Sequence, residues 1–150
     1  MSFSTVIFDL DGTLLDTSSG IYATANRTIE QLGMEPVVDE AQLSKFIGPP
    51  IYQCFVDVYD LDPSLIDEAI EIYRKEYDLS GRYQATPYSG IKETLDTLQQ
   101  RGYRMGVATL KYQPLARLML EHFGLASYFE VIYGSDDASS LSKADIISLV

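Results

Sequence analysis

The run Thr5-Val6-Ile7-Phe8 ends abruptly at a pair of acids, in Asp9-Leu10-Asp11-Gly12. A short stretch of β-branched and aromatic residues closed by a turn signal predicts a strand buried on both faces, as in a parallel sheet. Carboxylates at the carboxyl end of such a strand lie where open α/β sheets bind their ligands. Two carboxylates two residues apart in extended chain point the same way, with their Cα atoms ~6.6 Å apart. One can attack an electrophile while the other handles a proton. Gly12 permits a sharp turn immediately after them. Asp, Gly and Thr are also ordinary turn residues, so a bare acidic turn is the plain alternative. The apolar strand in front and the longer context through Asp16 favour the chemical reading.

The rest of the chain fits a sheet interrupted by helices. Over 17–84 no strand pattern occurs. Ile21, Ala25, Ile29 and Leu32 recur at helical spacing, with Gly33 as a stop. Further helices are expected over 39–46, over 51–59 and along Ile66, Ile70, Tyr73 and Tyr77. The break at Ile47-Gly48-Pro49-Pro50 is one that no helix interior tolerates. After Pro87 helix and strand alternate. Ile91, Leu95 and Leu98 mark a helix, 103–108 a strand ending at Thr109, and Leu115, Leu118 and Met119 the inner face of a helix that Pro114 can open. A third strand is expected over 129–133. Ser142 and Asp145 resemble a capping box that starts a last helix near Lys143. Alternating strands and helices imply a parallel α/β sheet. The expected architecture is a Rossmann-like core of 1–16 and 85–150 with three visible strands, and an all-helical insertion over 17–84. Three strands leave an apolar strand at an edge, which would favour pairing with a second copy of the chain.

Composition narrows the partners. Eleven basic against 22 acidic residues give a net charge of −11, unsuited to coating nucleic acid or to binding anionic membranes. The tyrosines lack the basic surroundings of a base-stacking platform. One cysteine, Cys54, and one histidine, His122, exclude an intrachain disulfide and a Cys/His zinc site. Cys54 reads as a buried small hydrophobe and His122 as structural or surface. Nothing approaches the ~18 apolar residues of a membrane span, and the N-terminus lacks a signal-peptide pattern. A cytoplasmic protein is the expectation.

The motif Asp9-Leu10-Asp11-Gly12-Thr13 resembles the first motif of the haloacid dehalogenase superfamily of aspartyl-phosphate phosphohydrolases. The helical insertion directly after it resembles that family's helical cap. Thr109, after Met105-Gly106-Val107-Ala108, matches the second motif. Lys143, in Leu141-Ser142-Lys143-Ala144-Asp145, matches the third, with Gly134-Ser135-Asp136 before it. Phe46-Ile47-Gly48-Pro49-Pro50 is similar to the cap loop of phosphoglycolate-phosphatase-like members.

The resemblance implies a role for each residue. Asp9 would be the nucleophile that takes the phosphoryl group. Asp11 would protonate the leaving oxygen and then activate water. Mg²⁺ would bind the Asp9 side chain and the Asp11 backbone carbonyl. Thr109 would hydrogen-bond a phosphoryl oxygen, and Lys143 would neutralise charge on it and on Asp9. Gly12 and Thr13 of the first motif, Gly48 of the cap loop and Lys111 complete the substrate-binding candidates. Each has a plainer reading: Thr109 as a turn residue, Lys111 as a solvated loop charge, Gly48-Pro49-Pro50 as a rigid helix breaker. Lysine in the first turn of a helix is electrostatically a little unfavourable, which mildly favours a task at Lys143 over the plainer reading of a common surface lysine.

The implied substrate is a small phosphorylated metabolite, with phosphoglycolate first and pyrophosphate or nucleoside monophosphates as rivals. The family's fourth, acidic motif is not found. Asp136 and Asp137 precede Lys143, whereas that motif follows it, and Asp145 should lie on the helix. A fragment of a longer enzyme is therefore expected. The alternatives are a catalytically silent binding module and a phosphomutase. A flavodoxin-like receiver is disfavoured by the large insertion after the first strand.

Overall fold

A computed structural model describes residues 4–136 and 140–150. The chain divides into two compact units, Met1–Asp16 with Thr86–Val150, and Thr17–Ala85.

The first unit is an α/β layer. Its parallel sheet has the order β1-β4-β5, from β1 (Thr5–Phe8), β4 (Arg104–Tyr112) and β5 (Val131–Ser135). Phe8 pairs with Val107 and Gly106 with Val131. The central strand β4 is buried continuously from Met105 to Thr109, as expected of a parallel strand with neighbours on both sides. A two-residue antiparallel ladder joins β2 (Leu15–Asp16) to β3 (Thr86–Pro87). Helices α5 (Ile91–Gln100), α6 (Gln113–His122) and α7 (Lys143–Leu149) complete the unit.

Four sequence expectations change here. Strand β1 is not buried on both faces: Ile7 is 40% exposed, because among the described residues β1 pairs only with β4. Strand β4 does not end at Thr109 but continues through an irregular register to Tyr112. Strand β5 starts at Val131, because a 3-10 turn over Ala126–Tyr128 delays it and the Phe129 N–H donates back to the Ala126 carbonyl. Helix α6 turns Ala116, Met119 and Leu120 inward and leaves Leu118 49% exposed. The i, i+3, i+4 stripe therefore begins one residue later than the Leu115 phase.

Helix α7 starts where its sequence says. The Asp145 N–H donates to Ser142 Oγ at 3.2 Å and the Ser142 N–H donates to Asp145 Oδ2 at 2.9 Å, so the capping box is complete. The Ser142 hydroxyl, which donates to Asp145 Oδ2 at 2.6 Å, and after it the Ser142 N–H hold the Asp145 carboxyl below the usual carboxylate range.

Gly134 marks a close approach of β5 to the backbone of β4 and the start of α6. A Cβ there would lie 2.5 Å from the Lys111 carbonyl oxygen and 2.7 Å from Gln113 Cα. Both are backbone atoms that cannot swing away. Gly134→Ala is expected to cost about 1–3 kcal/mol, read as a lowered denaturant midpoint at unchanged slope. An unchanged midpoint would show that the strands part freely.

The second unit is helical throughout: α1 (Ser18–Gln31), α2 (Glu40–Leu43), α3 (Ile51–Tyr59) and α4 (Ile66–Leu79), with 3-10 turns at Ser44–Phe46, Pro63–Leu65 and Gly81–Tyr83. Gly20 lets α1 approach the last turn, since a Cβ would sit 2.1 Å from the Gly81 carbonyl oxygen. The core is aromatic. Phe46 meets Phe55 edge-on at 5.3 Å, Phe55 meets Tyr73 edge-on at 6.0 Å, and Tyr73 stacks on Tyr77 at 5.7 Å. Packing thus accounts for these tyrosines. Cys54 is buried, and burial with the charge of Asp57 pushes its thiol up to about 11, so it behaves as an unreactive hydrophobe. No helix among the described residues is long and apolar enough to cross a membrane.

Candidate active site

The turn after β1 is wound around one carbonyl. The N–H groups of Thr13, Leu14 and Leu15 all donate to the Leu10 oxygen, at 3.0–3.2 Å, and Gly12 N–H donates to Leu15 O at 2.9 Å. Leu10, Leu14 and Leu15 are fully buried. Gly12 adopts φ +76°, the left-handed region that glycine enters without strain. The apolar residues pin the loop and leave its acids at the strand end.

Asp9 Oδ1 accepts the Leu10 N–H at 2.8 Å and the Lys143 ammonium at 2.6 Å. Lys143 Nζ also donates to the Ala108 carbonyl at 2.6 Å. Lysine at the start of α7 is thus tied to the end of β1 and to Ala108 within β4, which offsets its unfavourable place on the helix dipole. Asp11 Oδ1 lies 3.1 Å from Lys111 Nζ. Lys111 N–H donates to Thr109 Oγ1 at 3.1 Å, and Thr109 is 1% exposed.

The two acids differ in access. The Asp9 and Lys143 side chains are 43% and 34% exposed, whereas those of Asp11 and Lys111 are 16% and 10% exposed. The reading of Lys111 as a solvated loop charge is therefore wrong. Backbone beyond Thr109 turns its side chain onto Asp11.

Gly12 and Thr13 are exposed on the loop. Gly48 belongs to the helical unit, in an exposed loop at φ +111°. Asp136 is engaged locally, accepting the Ser140 N–H at 2.9 Å and its hydroxyl at 2.6 Å. Asp137 lies outside the described residues. His122 is exposed and sits edge-on to Phe123 at 4.8 Å.

The haloacid dehalogenase-like hydrolase family matches this chain over residues 6–148. The chain belongs to that family. As a haloacid dehalogenase-like protein it is 36% identical over 148 residues to a 5'-nucleotidase of Pseudomonas aeruginosa, covering 98% of this chain and 66% of that protein. It is 38% identical over 144 residues to the tyrosine-protein kinase PtkA of Mycobacterium tuberculosis, covering 95% and 48% respectively. The crystal structure of a predicted phosphatase from Clostridium acetobutylicum superposes with a TM-score of 0.88 at 36% identity, over 99% of this chain and 69% of that one. The chain thus spans between about half and two thirds of the length of these two curated relatives. Their similarity covers the α/β core and its helical insertion alike.

The donor set suits a hard divalent cation only in part. Asp9 offers an accessible carboxylate, and Mg²⁺ is commonly held by one or two carboxylates plus substrate phosphate and water. No group of three or more His, Cys, Asp or Glu side chains gathers among the described residues. A cation held by the Asp9 carboxylate would take substrate phosphate oxygens and water among its other ligands.

Proposed function

We propose that this chain hydrolyses a small phosphoric monoester through a phosphorylated Asp9. The observation that carries the reading is the 2.6 Å contact of Lys143 Nζ with the accessible Asp9 carboxylate, at the end of a parallel strand. Asp9 attacks phosphorus, the ester oxygen leaves with a proton from Asp11, and Lys143 offsets the charge of the transferred group. The Thr109 hydroxyl keeps its own proton to donate to a phosphoryl oxygen. Water then attacks the phosphorylated Asp9, with Asp11 as base.

Charge balance supports a metal cofactor. With Asp11 holding the proton that it gives to the leaving oxygen, Asp9, Lys111 and Lys143 leave a net charge of only +1 to face a phosphate dianion. Mg²⁺ held by the Asp9 carboxylate and the Asp11 carbonyl would supply the missing positive charge. The substrate candidates are a nucleoside monophosphate, as the name of the Pseudomonas relative suggests, and phosphoglycolate, as the Ile47-Gly48-Pro49-Pro50 loop suggests.

The test is phosphate release from an aryl phosphate and from both candidates, with Mg²⁺ and with a chelator. Release is expected with Mg²⁺, to be abolished by the chelator and restored by added Mg²⁺. Equal release in chelator would refute the cofactor, and none from any ester would refute the phosphatase.

A further inference from the structure

Strand β4 carries an irregularity that the reaction as described leaves without a purpose. Ala108 pairs with Tyr133 and Tyr112 with Ser135, so three residues of β4 stand opposite Gly134 alone. Such a bulge bends its strand and re-aims a side chain. The partner strand accommodates it because Gly134 has no Cβ to strike the Lys111 carbonyl, and Gln113 Oε1 accepts the Gly134 N–H at 3.1 Å. Within the bulge, Lys111 N–H is anchored on the buried Thr109 hydroxyl. The side chain so directed is Lys111, whose ammonium reaches Asp11 Oδ1 at 3.1 Å.

This pair is unlike the chain's surface pairs. The Arg104–Glu130 side chains are 68% and 50% exposed, against 10% and 16% for Lys111 and Asp11. A covered pair fixes side-chain direction, where an exposed one is loosened by water. The Lys111 ammonium, a donor only, sets the direction of the Asp11 side chain that it meets through Oδ1.

We propose that Lys111 is a positioning residue for Asp11 in the second half of the reaction, a role that rests on the phosphatase reading above. In that half, a water oxygen bonds to the phosphorus on Asp9. The bond from phosphorus to the Asp9 oxygen breaks and returns Asp9 as a carboxylate. One water proton passes to Asp11, and inorganic phosphate leaves. Lys111 touches neither water nor phosphorus. It holds the acceptor in line.

The experiment follows an aryl phosphate with Mg²⁺ through the pre-steady state, for the parent chain, Lys111→Met and Lys111→Arg. Formation of phosphorylated Asp9 governs kcat/KM, and its hydrolysis limits kcat once Asp11 is misplaced. Lys111→Met is expected to give a stoichiometric burst of aryl alcohol, then turnover at least about tenfold slower. Its kcat and KM should fall together while kcat/KM holds within about threefold. Lys111→Arg should recover part of the steady rate. A burst-free loss of kcat/KM as large as that of kcat, which a loosened fold would give, overturns the role, as does an unchanged kcat. If Lys111→Met does not fold, Lys111→Gln is read by the same criteria. A parent chain that releases no aryl alcohol overturns the phosphatase reading and this role together. A turning-over parent with a burst-free variant overturns the role alone.

Discussion

Asp9→Asn lowers phosphate release by at least about 10⁴-fold, the scale of losing a nucleophile. The exchange keeps size and keeps an acceptor for the Leu10 N–H, which now meets Asp9 Oδ1 at 2.8 Å. It removes the charge that Lys143 pairs with and the electron pair that attacks phosphorus. The fold should be little affected, because the Asp9 side chain is 43% exposed while the loop is pinned by buried Leu10, Leu14 and Leu15. Turnover by a well-folded Asp9→Asn protein within tenfold of the parent would assign attack to another group.

Lys143→Met is the second large effect, an expected loss of about 10²–10³-fold in kcat, as for removal of one preorganised donor to a developing oxyanion. One ammonium makes two 2.6 Å contacts, to Asp9 and to the Ala108 carbonyl. Methionine spans the same length without either bond. Lys143→Arg should recover little, since a planar guanidinium fork cannot occupy the point where both acceptors converge. Helix α7 should persist in both variants, because the Ser142–Asp145 capping box and buried Ile146 hold it independently of Lys143. Unchanged far-ultraviolet circular dichroism beside the lost turnover checks this. Full activity in Lys143→Met would reduce the contact to a structural tie.

What the sequence made legible was local. The capping box at Ser142 and Asp145 lies within four residues, and the helix start at Lys143 follows from it. Helix α3 occupies 51–59, the stretch expected to turn helical after the break at Gly48-Pro49-Pro50. The pairing of Asp9 with Lys143, 134 residues apart, has no local signal and entered through family resemblance. What escaped was set by neighbouring strands. The exposure of Ile7 depends on what lies beside β1, which the composition of β1 does not record. The bulge after Ala108 depends on Gly134 in another strand, so Thr109 looked like a strand terminus and Lys111 like a loop charge. A glycine between Tyr133 and Ser135 was the available clue, because glycine inside a strand often marks a bulge or a close approach. The β2–β3 ladder is two residues long on each side, too short for any periodicity to show.

The most direct test of the account is chemical capture of phosphorylated Asp9. An acyl phosphate is reduced by borohydride to an alcohol, which would convert Asp9 to homoserine. The protein would be quenched during turnover of an aryl phosphate with Mg²⁺, reduced, digested and read by peptide mass spectrometry. The account predicts homoserine at position 9 with substrate present, none without substrate, and none in Asp9→Asn. Sustained phosphate release with Asp9 unmodified, or with another carboxylate captured instead, would contradict it.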